Sequence, residues 1–353
     1  MRVLYFGTYE RTYPRNAQVI SCLRRAGVEV IERHEAVWEG QEQKWSVGVG
    51  AVARLSLARL RLRRGSVPDA DVVVVGYPGH LDLGAARRAA RGKPVVFNPL
   101  VSLEDTFVAD RGRFRPGSLA ARMLRRIDRR AFRAADLVVA DTEAHADFLA
   151  ELTSVPRDRF RVCFVGAEEW VFEPNWSPQE PFTALFVGKL IPLHGLQTIL
   201  EAARLAPEVP VRVVGSGQLD DLLAERPPNV EWVPWVRYEE LPHELSRAGC
   251  ALGIFGTSGK ARRVIPNKAF QALACGVPLV TADTPAAREL IDDQTAVLVP
   301  PGDPEALAGA LRRLANDREL AARLAAAGHA VYRERASEEA LGRRWRAILE
   351  EVA

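Results

Sequence analysis

Residues 182–218 read "FTALFVGKLIPLHGLQTILEAARLAPEVPVRVVGSGQ". The run "FTALFVG" (182–188) is short, apolar and closed by a glycine, the pattern of a strand buried on both faces. "LQTILEAARLA" (196–206) carries its apolar residues at helical spacing, and "VPVRVVGSG" (209–217) is a β-branched run that ends in a glycine turn. Strand, helix and strand in so short a span is the repeating unit of a doubly wound α/β sheet.

The alternation continues outward on both sides. Downstream, "NVEWVPW" (229–235), "CALGIFG" (250–256), "VPLVTAD" (277–283) and "TAVLVPP" (295–301) read as strands, and the chain ends in helices over 303–315, 317–334 and 337–351. Upstream, "RVLYF" (2–6), "VEVIE" (28–32), "ADVVVVG" (70–76), "KPVVF" (93–97), "ADLVVAD" (135–141) and "RFRVCFVG" (159–166) are strands, with helices at 16–27 and 49–64 among those between them. The expected fold class is α/β, with two Rossmann-like doubly wound domains facing a cleft. Residues 1–166 form the first domain and 182–335 the second. The aperiodic "AEEWVFEPNWSPQEP" (167–181) reads as a linker, and 336–353 as a helix that crosses back to the first domain. The 353 residues suit two domains of about 170 each.

Composition excludes several classes. The chain is 48% hydrophobic and 26% charged, and no apolar run reaches the roughly 20 residues of a membrane span. The N-terminus lacks the long apolar core of a signal peptide. None of the four cysteines forms a CxxC pair, so buried reduced thiols and a cytoplasmic location are expected. Net charge is only +3 and no interleaved aromatic–basic motif appears, which argues against nucleic acid. The charge is uneven, however. Residues 1–172 hold 28 Lys and Arg against 21 Asp and Glu, and the remainder holds 20 against 24. Around 52–64, Arg54, Arg59, Arg61, Arg63 and Arg64 stand beside Leu55, Leu57, Leu60 and Leu62, so peripheral contact with the inner membrane face is a further expectation. "DAD" (69–71) precedes a strand, at the wrong sheet edge for a metal, and no zinc spacing occurs; no metal or other cofactor is expected.

Candidate chemistry sits where strands end. Gly188, Lys189 and His194 follow one strand, and Gly215, a candidate for close backbone approach to a nucleoside, follows the next. "EWVPWVRYEEL" (231–241) can line a nucleobase slot through backbone near Trp235 and Val236. "FGTSGKARRVIPNK" (255–268) can place Lys260, Arg262, Arg263 and Lys268 around one mouth, on a loop that Gly256 and Gly259 leave flexible. A helix opens near Asn267, and a basic loop with a helix N-terminus makes an anion site, most simply for a diphosphate. One turn on, Gln271 can reach a ribose diol. In the first half, "GTYERTYPRN" (7–16) gathers Gly7, Tyr9, Arg11, Arg15 and Asn16 on a glycine turn between a strand and a helix. "FNPLVSLEDTFVADRGRF" (97–114) offers Asn98, Asp105, Asp110 and Arg111, and "YPGHLD" offers His80. Each feature also has a plainer reading, as a capped turn, a packing tryptophan or a solvated charge run.

"VGKLIPLHGLQTILEAA" with "VRVVGSGQ", "ALACGVPLVTADTPAARELIDDQTAVLVPPGDPEALAGAL" (272–311) and "AADLVVADTEAHADFL" (134–149) together resemble the retaining glycosyltransferases of the GT-B fold, group 1 (family 4), most strongly over 183–315. The resemblance implies transfer of a sugar from a nucleotide-diphosphate sugar, bound by the second domain, to a glycan, lipid-linked sugar or small-molecule acceptor on the first. Gly7, Tyr9, Arg11, Arg15, Asn16, His80, Asn98 and Arg111 are then the candidate acceptor or sugar contacts, and Asp105 the candidate base or sugar contact. The resemblance also implies retained configuration and no metal. Lys189 stands where the family usually has an arginine, and His194 where it has a lysine; both grip the diphosphate, and Lys189 would thereby assist catalysis. The family's two glutamates, seven residues apart, fall at Arg263 and Gln271, of which the second binds the ribose. Asn98 with Pro99 stands near the place of a histidine that touches the donor sugar. The basic loop would replace the missing diphosphate cations, and a grip through His194 would weaken between pH of about 6 and 8. The alternatives are a nucleotide-sugar epimerase of similar fold and a non-catalytic sugar-nucleotide-binding scaffold.

Overall fold

The computed structural model describes residues 1–37, 49–64 and 68–353. The chain divides into two units, Met1–Val165 with Glu338–Ala353, and Gly166–Ser337.

Unit 1 is built on β1 (Arg2–Gly7), β2 (Glu29–His34), β3 (Val72–Val75), β4 (Val95–Phe97), β5 (Leu137–Ala140) and β6 (Phe160–Val162), a parallel sheet in the order β2-β1-β3-β4-β5-β6. Its helices are α1 (Pro14–Arg25), α2 (Val49–Arg64), α3 (Leu83–Ala90), α4 (Leu119–Ala134) and α5 (Glu143–Thr153), joined by the C-terminal helix Glu338–Glu350. Side chains alternate across each strand. Leu4, Phe6, Val73 and Val75 therefore meet Leu62 of α2, Ala86 of α3, Phe132 of α4 and Leu149 of α5. Val3, Tyr5, Val72 and Val74 point the other way, to Val19 and Leu23 of α1 and to Trp345 and Ile348 of the C-terminal helix. Both sheet faces are covered, which is why these strands read as unbroken apolar runs.

Unit 2 repeats the plan with β7 (Ala184–Val187), β8 (Val211–Val214), β9 (Val230–Val233), β10 (Cys250–Leu252), β11 (Leu279–Ala282) and β12 (Val297–Val299), in the order β12-β11-β10-β7-β8-β9. Around them lie α6 (Leu196–Leu205), α7 (Leu241–Arg247), α8 (Asn267–Ala274), α9 (Pro285–Arg288), α10 (Pro304–Asn316) and α11 (Arg318–Arg335); the C-terminal helix is α12. Two doubly wound parallel sheets are thus present, as the alternation predicts. The strand order reverses at β7, between β8 and β10, so a crevice opens at its carboxyl end, the usual ligand place in such sheets.

Residues 167–181 are not a free spacer. They belong to unit 2, where Trp176 Nε1 donates to the Ala248 carbonyl at 2.8 Å and Ser177 N to the Ser246 carbonyl at 2.8 Å. Phe172 is buried. A proline-rich segment with no periodicity of its own is still ordered when its backbone groups find partners on a neighbouring loop. All four cysteines are buried free thiols. Among the described residues no helix is long and apolar enough to cross a membrane.

Candidate active site

β7 is followed by Gly188, whose φ of 146° is glycine territory. A Cβ there would lie 2.7 Å from Nζ of Lys268. Lys268 comes from the first turn of α8, and its ammonium sits 3.6 Å from the centroid of the Phe186 ring, a cation–π contact. The residue is 9% exposed, and Nζ is buried with no hydrogen-bond partner. Desolvation holds its pKa well below the ordinary lysine value. Lys268 therefore brings an uncompensated buried amine and a helix N-terminus, which favours anions, to the carboxyl end of the central strand.

His194 closes a 3₁₀ turn, Pro192–His194, ahead of α6. Its Nδ1–H donates to the Lys189 carbonyl at 2.5 Å, which leaves Nε2 as the lone-pair nitrogen of a neutral ring. Burial first, and then the charge of Lys268, push its pKa well below the ordinary histidine value. His194, neutral and with Nδ1–H on the Lys189 carbonyl, is tied to the turn, which speaks against the expected proton-dependent grip; Lys268 is the basic side chain buried beside it. Lys189 itself is exposed at the strand end.

Gly215, at the end of β8, has a φ of 136°, and a Cβ on it would lie 2.0 Å from the Gly188 carbonyl oxygen. The glycine is required by the neighbouring backbone, not by a ligand, which corrects its assignment to the nucleoside. Gly215→Ala should destabilise the protein by about 2–3 kcal/mol, read as the shift in the urea unfolding midpoint. Trp235 is 73% exposed and Val236 half-buried, and neither makes a backbone hydrogen bond among the described residues. Their peptide groups are available to a base edge. Gln271 is buried on α8, and its Nε2 donates to the Tyr238 hydroxyl at 3.3 Å, which donates in turn to Oε2 of Glu168 at 2.9 Å. Burial and the Glu168 charge raise the Tyr238 pKa, so the phenol stays protonated. The chain Glu168–Tyr238–Gln271 leaves the Gln271 side-chain oxygen without a partner among the described residues.

The 256–265 loop is less flexible than its glycines imply. A Cβ on Gly256 would lie 2.4 Å from the Leu193 carbonyl oxygen, so that glycine is there for close packing. Ala261 is buried with Leu193 and Ile254, and Lys260 is itself buried. Arg262 is exposed and Arg263 half-buried over Gly259. The four cations do not share one mouth equally; only Lys268 stands over Gly188.

In unit 1 several acceptor candidates are held inside the fold. The Gly7 turn is pinned by Asp82, whose Oδ2 accepts from Thr8 N at 2.7 Å and Thr8 Oγ1 at 2.9 Å. Tyr9 Oη and Arg11 Nε both donate to Oε2 of Glu32, at 2.9 and 3.0 Å. The Asn16 amide bonds Tyr5, the Glu10 carbonyl and both backbone groups of Tyr77. Arg15 is fully buried; Nε donates to Oδ1 of Asn98 at 3.0 Å and Nη1 to the carbonyls of Cys163 and Phe164. His80 is buried against Phe97, with Nδ1 at the Pro78 carbonyl and Nε2 3.1 Å from that of Val101. The reading of Tyr9, Asn16 and His80 as direct acceptor contacts is corrected: they tie the carboxyl-edge loops to one another, and binding a ligand would first break those bonds. Arg11 stays exposed beside Glu32, and Arg15 Nη2 and Asn98 Nδ2 are buried without a hydrogen-bond partner among the described residues, so these three keep capacity for an acceptor. Asp105 and Asp110 are buried at the two ends of a π-helical turn, and half-buried Arg111 follows it.

Both units match known families. Residues 2–166 match the glycosyl transferase 4-like domain, and 181–317 match glycosyl transferases group 1. The chain is a group 1 glycosyltransferase. It is 26% identical over 337 residues to a D-inositol 3-phosphate glycosyltransferase of Nocardioides sp., covering 85% of this chain and 71% of that one. It is 24% identical over 214 residues to the lipopolysaccharide core biosynthesis glycosyltransferase LpsE of Rhizobium meliloti, spanning 60% of this chain and 63% of the relative. Its fold is shared by sucrose-phosphate synthase of Thermosynechococcus elongatus, with a TM-score of 0.76 at 16% identity over 99% of this chain and 98% of that one. Anabaena HepE, solved with UDP-glucose, gives 0.70 at 16% identity over 99% and 100%. These are GT-B neighbours, in agreement with the expected fold.

Three residues of this glycosyltransferase escaped the reading of its sequence. Glu168 lay in a stretch read as linker, and Tyr238 in one read for its tryptophans. Asp128, on α4, is fully buried and organises the turn that carries Asp105. Its spacing in "RRIDRR" carries no such signal; only a lone acid among arginines on a helix could have marked it.

Proposed function

We propose that unit 2 of this transferase holds the diphosphate of a nucleotide sugar over Gly188, with Lys268 as its principal cation. The Lys268 amine, buried and without a hydrogen-bond partner over Gly188, carries this reading. Negative charge grows on the leaving diphosphate as an oxocarbenium-like centre forms, and a pre-placed ammonium in a dry site stabilises it. Lys189 and Arg262, both exposed, add solvent-side cations, with Arg263 beside them. Metal is not required in this scheme, and the configuration at the transferred carbon is retained. Gln271 binds the ribose, and the backbone of Trp235 and Val236 meets the base. Unit 1 takes the acceptor, a glycan, lipid-linked sugar or small molecule, near Gly7 and Arg111, with Asp105 as its proposed base or sugar contact. A cytoplasmic place with peripheral membrane contact belongs to the same proposal.

HepE was solved with UDP, which makes uridine the first base to test. A thermal-shift screen of UDP, GDP and ADP and their sugar conjugates should find one that raises Tm by mass action. Nucleoside diphosphate release only with acceptor present separates transfer from a scaffold role, and an unchanged acceptor with an altered donor sugar would mark an epimerase. Gln271→Ala should weaken nucleoside diphosphate binding by about 1–2 kcal/mol in titration calorimetry, and Gln271→Glu should not. An unchanged affinity in Gln271→Ala would remove Gln271 from the ribose.

A further inference from the structure

Helices α2, α3 and α4 lie side by side on one face of the unit 1 sheet. Together they hold thirteen arginines and one acidic residue, Asp128, which is fully buried. The outer surface of this layer therefore presents no carboxylate of its own. On α4, Leu119, Arg122, Met123, Arg126, Arg130 and Arg133 fall on one stripe by helical spacing, and all are exposed. The four stripe arginines make no ion pair among the described residues, unlike Arg125, which is bound to Glu104. Arg54 and Arg64 on α2 and Arg88 on α3 are also exposed and extend the same surface.

Apolar side chains stand among these cations. Leu119 is 78% exposed and Met123 61%, and Leu57 and Leu60 on α2 are 50% and 40%. Those four are half of the eight large apolar side chains left exposed among the described residues. The basic surface stops at α5, where Glu143 and Asp147 are neutralised by Arg157. A phosphate polymer would use the arginines but has no use for outward leucines; an anionic bilayer takes both, cations on lipid phosphates and apolar side chains in the interfacial layer.

We propose that the α2–α3–α4 face of unit 1 docks the transferase on an anionic lipid bilayer. This deepens the peripheral placement proposed above and rests on it, but not on the donor site. The test is co-sedimentation with vesicles of phosphatidylcholine, with and without phosphatidylglycerol, at low and high salt. Wild-type protein should pellet only with phosphatidylglycerol, and binding should fall about tenfold or more at high salt. Arg122→Glu with Arg126→Glu and Arg130→Glu should abolish pelleting. Leu119→Ser with Met123→Ser, which leaves the charge unchanged, should reduce it severalfold. Arg343→Glu with Arg346→Glu, on exposed positions of α12 across the sheet, should leave it intact. Absence of wild-type pelleting overturns the peripheral placement together with this surface. Pelleting that the α4 variants leave intact, or that the α12 variant removes as well, overturns this surface alone. Pelleting indifferent to Leu119 and Met123, with equal retention on heparin, would mark a general polyanion site and overturn the lipid assignment. Nucleoside diphosphate titration of the same variants should be unchanged, which keeps the result separate from the donor reading.

Discussion

Replacing Lys268 by methionine should make the protein more stable and far less active. The ammonium is buried over the Phe186 ring with no hydrogen bond and no carboxylate, so folding strips it of water with little return. Methionine keeps most of the volume and loses the charge. The expected gain is about 1–3 kcal/mol in urea unfolding without ligand. Activity should move the other way, with kcat/KM down about 10²–10³-fold, because the developing diphosphate charge loses its pre-placed cation. Opposite signs in the two measurements identify a site held ready at the expense of stability; a loss in both would make Lys268 a packing residue. The pH dependence follows from the same burial. The folded pKa lies below the ordinary 10.5, so between the two values the unfolded chain binds the extra proton and stability rises with pH. Lys268→Met should flatten that rise. A bound diphosphate raises the lysine pKa again, so binding takes up a proton and affinity falls as pH climbs through that window. Calorimetry in two buffers of different ionisation heat reads the uptake directly. His194→Gln should leave it nearly unchanged, because His194 is already neutral.

Asp128→Ala should be the most damaging change in unit 1. One oxygen of this buried carboxylate accepts from Ser102 Oγ at 2.7 Å and Glu104 N at 3.0 Å, and the other from Leu103 N at 3.0 Å. His80 Nε2 lies 3.4 Å away. Ser102 passes the order on, since its Oγ accepts from Asp105 N at 3.0 Å. Alanine would orphan two backbone amides and a hydroxyl in the interior, a loss of about 3–5 kcal/mol in unfolding free energy. Asp128→Asn keeps an acceptor oxygen and should lose roughly half as much. If Asp105 contacts the acceptor, Asp128→Asn should also raise the acceptor KM more than the donor KM. Equal changes in both would confine Asp128 to stability.

Much of this molecule was legible in one dimension. Apolar runs such as "ADVVVVG" and "FTALFVG" can be satisfied only where helices cover both sheet faces, so the α/β class and the twelve strands of the described residues follow from local pattern. The strands proved shorter than their apolar runs because the last residues leave the ladder for loop partners, as Phe255 does when its N–H turns to the His194 carbonyl. Gly188 and Gly215 were visible as turns, but not that each glycine answers a specific neighbour, Lys268 and the Gly188 carbonyl.

The sequence by itself determined the fold class, the family and the strand ends where chemistry gathers, because periodicity and turn residues act over a few positions along the chain. Tertiary structure alone decided which polar groups are free to act. Tyr9, Asn16 and His80 looked available and are held by partners many residues away in sequence, whereas Lys268, one cation among several in "KARRVIPNK", is the one buried over Gly188 without a hydrogen bond. Charge and hydrogen-bonding capacity are properties of a residue, but desolvation and pairing are properties of its surroundings, and those exist only once distant segments have packed.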